Sequence, residues 1–391
     1  MCYAIPGKVI AVEDNLITVD YFGEAKKAKN DFFQLSYGDY IYAQGGFVVQ
    51  KMSKEEALPI LDSWRELFAE LKEIDLQLSG NPRTLYQRAN YIRQKYLGNA
   101  CCVHGIIEFS NYCRNNCLYC GINCGNTALK RYRMEAKEII EAAEFASHQL
   151  GFKALVLQSG EDTSYDREKL VSIVQEILKR CPLLLVLSIG ERDTETYERL
   201  YQAGSRAVLL RFETSNPHLY SQMRPGYILE ERLALLRRLR QIGYLVMSGF
   251  LIGLPGSSQE DILQDIKLTG SLGAEMFSFG PFIPHPQTPL SGNPAPSLET
   301  VLKTIAQTRI MFPEAKILAT TALGTLDKEG IKFALLSGAN SLMINVTPQK
   351  YQPLYEIYPQ RLGVGIDVKE QISSTVKLLY SLGRAPTDLG L

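Results

Sequence analysis

An excess of charge and a long apolar run are missing from this chain of 391 residues, and no leader is expected from its start. Lys and Arg together number 42, as do Asp and Glu, so the formal net charge is zero. That balance excludes an overall pull toward nucleic acid or an anionic membrane. No stretch reaches the roughly 18 consecutive apolar residues that a membrane span needs. The start, MCYAIPGKV, has neither the charged n-region nor the apolar h-region of a signal peptide. A cytoplasmic protein without nucleic-acid or membrane partners is expected. In that compartment eight cysteines point to metal or catalytic use rather than disulfides.

The first 50 residues differ from the rest. KVIAVE, LITVDYF and DYIYAQGGFVV are short β-rich runs separated by turn signals. They predict a small antiparallel, OB-like β-barrel. Ser53 followed by Glu56 marks a capping box, and apolar residues at helical spacing continue through Leu71. That helix must pack its apolar face on something, most simply the small barrel. Ser79-Gly80-Asn81-Pro82 then breaks the pattern, which divides the chain into 1–78 and 83–391. Beyond it, eight apolar strand candidates alternate with helical stretches: 103–109, 154–159, 183–189, 206–212, 243–253, 274–280, 316–320 and 340–345. Continuous apolar strands interleaved with helices predict a (β/α)8 TIM barrel, with its functional residues at the C-terminal strand ends.

After the first of these strands, NYCRNNCLYCG spaces Cys113, Cys117 and Cys120 as C-x3-C-x2-C. Three thiolates on one loop can hold a 4Fe–4S cluster by three irons and leave the fourth open to a small molecule. A zinc knuckle is the competing reading, with Cys124 as fourth ligand, although zinc sites favour C-x2-C pairs. Cys101, Cys102 and Cys181 flank apolar runs and read as buried structural thiols. Gln158-Ser159-Gly160-Glu161-Asp162 follows the second strand, where a small turn lets backbone approach a ligand. An ordinary acidic helix start is the competing reading. Arg211 and Glu213 end the fourth strand, offering a fork for carboxylate and an acceptor for ammonium or ribose. Arg232 lies in a helix, and Thr320, Thr321, Tyr355 and Tyr358 add hydroxyls after the last two strands.

Two families resemble parts of this chain. The cysteine loop with Tyr119 resembles the signature of the radical S-adenosylmethionine (SAM) superfamily. IIEFSNYCRNNCLYCG, LKRYRM, VLQSGED, GLPG, GPFIPHPQTPL, ATTALGT and LYEIYP, in order over about 84–385, resemble the HydE maturases of iron–iron hydrogenase. The resemblance implies cluster ligation by Cys113, Cys117 and Cys120. It also implies SAM contacts at Tyr119, Gln158, Ser159, Gly160, Glu161, Glu213 and Arg232. A substrate pocket is implied near Arg211, Thr320, Thr321, Tyr355 and Tyr358. Residues 1 to about 75 resemble HypC, a chaperone of nickel–iron hydrogenase assembly, which implies an iron fragment on Cys2 and partner maturation proteins. The chain departs from these patterns at Phe212, where HydE commonly has His, and at Gln44, where HypC often has His. Cys124 has no usual counterpart in HydE, and GIDVKEQISSTVKLL lacks the cysteines of a second cluster.

Together these resemblances imply an enzyme that uses a 4Fe–4S cluster, SAM and a reducing electron donor. It would cleave SAM to a 5′-deoxyadenosyl radical and act on a small, thiol- or iron-bound substrate. The HypC-like segment turns the expectation toward nickel–iron hydrogenase. Its rivals are a HydE proper, an amino-acid-modifying enzyme of the methylornithine-synthase type, and a non-catalytic iron-fragment scaffold.

Overall fold

The computed structural model describes residues 5–390; Cys2 lies outside the described residues. Five strands, β1 (Gly7–Glu13), β2 (Leu16–Tyr21), β3 (Glu24–Lys29), β4 (Tyr40–Gln44) and β5 (Phe47–Met52), close into a small barrel in the order β1-β2-β3-β5-β4. Among the described residues its strand pairings are antiparallel except β3 with β5. Helix α1 (Lys54–Ser79) starts at the predicted box: Ser53 Oγ accepts from Glu56 N, and Glu56 Oε2 accepts from Ser53 N. Its Trp64, Phe68 and Leu71 pack on Ile5, Val19, Val48 and their neighbours in the small barrel.

Helix α2 (Leu85–Leu97) leads into the second unit. Its eight parallel strands are β6 (Ala100–Ser110), β7 (Ala154–Ser159), β8 (Leu184–Ser188), β9 (Ala207–Leu209), β10 (Leu245–Ser248), β12 (Met276–Phe277), β14 (Lys316–Ile317) and β15 (Ser341–Asn345). Two short rim strands, β11 (Leu251–Ile252) and β13 (Gly280–Pro281), pair with each other. A bridge between Leu318 and Ser341 joins the last strands of the row and closes the ring. All eight predicted strands are present, several of them shorter than the apolar runs that announced them. Inward side chains such as Ile106, Val156, Val186, Met247, Met276 and Leu318 fill the middle of the barrel, so it is a packed core, as such barrels require.

The small barrel sits under the large one, at the end where the strands begin. Its β4–β5 turn places Gly45 against Leu184 and Leu245, the first residues of β8 and β10. A Cβ on Gly45 would lie 2.7 Å from Leu184 Cδ2, and φ is +58° there, so the contact requires glycine. Arg206, just before β9, pairs with Asp31 at 3.0 Å and stacks on Phe32. Lys153, just before β7, lies over Tyr42. The last strand, β16 (Ala385–Pro386), pairs with the start of β6, and Ala385 and Ala100 join the apolar cluster of the small barrel. The helix α1 therefore packs on both units rather than on the small barrel alone. None of the helices among the described residues is long and apolar enough to cross a membrane.

Candidate active site

The C-terminal strand ends surround a cavity of about 310 Å³. Its first wall is the cysteine loop. Strand β6 carries a register shift between Glu108 and Ser110, a bulge that re-aims the chain as it leaves the sheet. Asn111 then anchors the turn through Lys130 O, Leu354 O and Tyr132 N. The guanidinium of Arg131 donates to four backbone carbonyls, those of Asn111, Ile122, Asn123 and Asn126. A single charged group thus gathers the loop's carbonyls and holds Cys113, Cys117 and Cys120 toward the cavity.

Cys117 is buried, while Cys113 and Cys120 are partly exposed. Burial, countered in part by Arg224, pushes the Cys117 thiol up to about 11. Desolvation and the neighbouring thiols raise Cys120, and desolvation raises Cys113. Three convergent thiols that repel a shared negative charge suit a cationic iron centre, which takes them as thiolates.

Glu161 is the focus of the second wall. Its Oε1 accepts from Glu191 N at 2.9 Å, and its Oε2 accepts from Arg114 Nε at 3.2 Å. Arg224 and Arg232 approach it within 3.9 and 3.8 Å. Gly160 lies so close to the cysteine loop that a Cβ would fall 2.2 Å from Tyr112 O. Asp162 locks that contact, accepting from Ser110 Oγ and Arg133. Glu213 has a left-handed backbone, φ +70°, a conformation that costs a non-glycine residue energy and tends to persist at functional sites. Its Oε2 is buried without a hydrogen bond and lies 3.2 Å from Arg211 Nη2.

Every described site residue expected from the sequence lines this one cavity: the three cysteines, Tyr119, Gln158, Ser159, Gly160, Glu161, Arg211, Glu213, Arg232, Thr320, Thr321, Tyr355 and Tyr358. Thr321 Oγ1 and Tyr358 OH are 2.6 Å apart. Phe212, where HydE commonly has His, is fully buried beside Phe250 and lines no part of the cavity. Cys124 is exposed and lies outside the cavity lining, although its thiol is near enough to Cys113 to add to that thiol's rise. Cys101, Cys102 and Cys181 are buried as expected.

Sequence reading missed Glu108, Asn345 and Arg361, which form the inner wall. Arg361 grips Glu108 with both terminal nitrogens, and Asn345 donates to Glu108 Oε2 at 2.9 Å. It also missed Arg224 and Glu191. A charge inside an apolar strand, as in IIEF, was the available signal for Glu108; the others carry none in the chain. Buried polar atoms without a hydrogen bond, including Thr320 Oγ1 and Arg224 Nε, fit a cavity that receives a polar ligand, since groups of this kind are costly when left alone.

Comparison with known proteins agrees with this geometry. Models of the radical SAM superfamily match residues 107–269, the HupF/HypC family residues 1–64, and the biotin and thiamin synthesis associated domain residues 278–385. The [FeFe] hydrogenase maturase subunit HydE of Thermotoga maritima is 40% identical over 342 residues, 88% of this chain and 95% of that protein. The chain belongs to the radical SAM superfamily, in its HydE-like group. This HydE-like chain is similar in structure to methylornithine synthase, with TM-score 0.70 and 29% identity over 82% of this chain and 97% of that one. The maturase HydG of Carboxydothermus hydrogenoformans shares the fold, with TM-score 0.64 and 20% identity over 86% of this chain and 80% of that one. The HydE-like chain is therefore an enzyme of a family that uses a 4Fe–4S cluster and SAM, joined to a HypC-like domain.

Proposed function

We propose that this HydE-like enzyme acts on a small substrate in assembling the metal centre of iron–iron hydrogenase. The observation that carries this reading is the cavity itself: three convergent thiols on one wall face the polar wall of Glu108, Arg361, Thr320, Thr321, Tyr355 and Tyr358. Cys113, Cys117 and Cys120 would hold the cluster. Tyr119, Gln158, Ser159, Gly160, Glu161, Glu213 and Arg232 would hold SAM. The bound pair supplies reductive cleavage of SAM to a 5′-deoxyadenosyl radical, chemistry that belongs to the cofactors.

The chain's own residues orient and exclude. The Glu161 carboxylate offers acceptors to an ammonium group, while Arg232 faces a carboxylate. Arg211 and Glu213 present a charge pair at the cavity edge. The apolar layer of Ile106, Leu209, Leu318 and Met343 keeps water from the barrel interior. The division at 1–78 and 83–391 belongs to the same reading, with the small unit as a floor seat. Gln44, at the position where HypC often has His, is fully buried there. That burial does not favour handover of an iron fragment to a separate protein at this position. The nickel–iron target expected from the HypC resemblance has no support beyond that domain.

Anaerobic reconstitution with iron, sulfide, dithionite and SAM tests the enzyme. Formation of 5′-deoxyadenosine, together with restored [FeFe] hydrogenase activity in cells lacking their own HydE, is expected. An intact cluster that yields no 5′-deoxyadenosine would leave a scaffold instead. A second reading, modification of a free amino acid, is favoured by the Glu108–Arg361 pair, which can receive both ends of a zwitterion. Consumption of an amino acid without hydrogenase rescue would select it.

A further inference from the structure

Arg224 is the most buried cation beside the cysteine loop, and the loop is fastened to its segment twice. Leu118 N donates to Met223 O at 3.0 Å, and Tyr227 OH donates to Asn115 Oδ1. Between these two clasps the Arg224 guanidinium is only 2% exposed. Its Nη1 donates to Tyr220 OH at 3.0 Å, and the Tyr227 ring lies 4.7 Å below it. The nearest carboxylates are Glu191 at 3.7 Å and Glu161 at 3.9 Å, longer than a direct charge-assisted hydrogen bond. Both carboxylates are more tightly engaged elsewhere: Glu191 by Arg232 Nε at 2.6 Å, Glu161 by Arg114 Nε at 3.2 Å. Of the two buried guanidiniums here, Arg232 is thus closely paired and Arg224 is not, and Arg224 is the one clasped to the cysteine loop. Arg224 also lines the same cavity as Cys117.

We propose that Arg224 is a positioning residue for the cluster site, holding the Cys117 segment in place and favouring the one-electron-reduced state through its buried charge. The proposal rests on the reading that Cys113, Cys117 and Cys120 bind a 4Fe–4S cluster. The physical basis is that reduction adds a negative charge to a centre already surrounded by thiolates. A fixed cation in a medium of low dielectric stabilises that charge far more than a solvated one does. Net charge and hydrogen bonding near the sulfurs are what set such potentials. Arg114 is the natural contrast, because its side chain is half exposed and water screens it.

The experiment is an EPR-monitored redox titration of the anaerobically reconstituted full chain, without SAM, at pH 8. Arg224→Met should lower the ratio of reduced to oxidised cluster roughly tenfold at the wild-type midpoint, about 60 mV for a one-electron couple. Arg224→Lys should recover most of that shift, and Arg114→Met should shift it little. Glu191→Gln removes an opposing carboxylate and should move the midpoint the other way, which keeps the test open if Arg224→Met folds poorly. An unchanged midpoint in Arg224→Met at full iron content overturns the proposal, as does an unchanged or lowered midpoint in Glu191→Gln. Failure of the underlying reading looks different: a variant with all three cysteines replaced by Ala would keep its cluster.

Discussion

Asp75 Oδ1 lies 2.6 Å from Arg93 Nη2, and neither side chain reaches solvent. Asp75 belongs to α1, the helix that covers the small barrel, while Arg93 belongs to α2 of the large unit. Arg384, beside β16, approaches the same carboxylate at 3.4 Å. Burial and the Arg93 charge push Arg384 down to about 9. One carboxylate thus compensates two buried arginines at the junction of the units. Asp75→Ala should destabilise the full chain by about 3–5 kcal/mol, the usual cost of leaving buried charge unpaired. Urea unfolding followed by tryptophan fluorescence, with Trp64 on α1 as the reporter, measures it.

Asp265 supplies a pH dependence of stability. Burial raises its carboxyl to about 7, against hydrogen bonds from Ser215 and with Asp261 and Glu213 adding to the rise. Between about pH 4 and 7 the folded chain holds a proton that the unfolded chain has lost. The sign follows: this group's contribution is complete below pH 4 and lost as pH rises through 7. Relative to Asp265→Asn, the wild type should lose up to about 1.4 kcal/mol per pH unit in that window. A flat difference between pH 5 and 8 would refute it.

Iron uptake should be linked to proton release. All three thiols of the loop are raised by burial, and each gives up its proton to bind iron. Reconstitution of the metal-free chain should release about three protons near neutral pH and become more favourable as pH rises. Titration in weakly buffered anaerobic solution reads the proton count, and uptake insensitive to pH would contradict the linkage.

Gly160→Ala should separate cluster retention from folding. The new Cβ would meet Tyr112 O at 2.2 Å and Cys113 Cβ at 2.8 Å, and the backbone carbonyl cannot rotate away as a side chain would. The expected variant keeps its far-ultraviolet circular dichroism but loses most of its iron on desalting. Full iron retention would show that the loop gives way without penalty.

The strand rhythm, the capping box at Ser53 and the cysteine loop were legible because each depends on residues close together in the chain. Periodicity and spacing report local geometry directly. The same locality explains why Glu161 was readable: it follows a strand in a barrel whose order was already known. Arg224, Glu191 and Arg361 were not, because a charged residue in a loop looks alike whether it is solvated or aimed at a cavity. Arg211 and Phe212 show how chain neighbours diverge: alternate residues leaving a strand point to opposite sides, so Arg211 lines the cavity while Phe212 is buried away from it.

The sequence by itself determined the two architectures, the thiol loop and the family, since all four follow from local pattern or from long ordered runs of motif. Tertiary structure alone decided which charges meet. It brought Glu108 to Arg361 across 253 positions and placed Arg224 beside the cysteine loop. It also set the small barrel under the floor of the large one. Barrel closure and side-chain burial fix those relationships through packing between distant segments, and no window of the chain contains both partners.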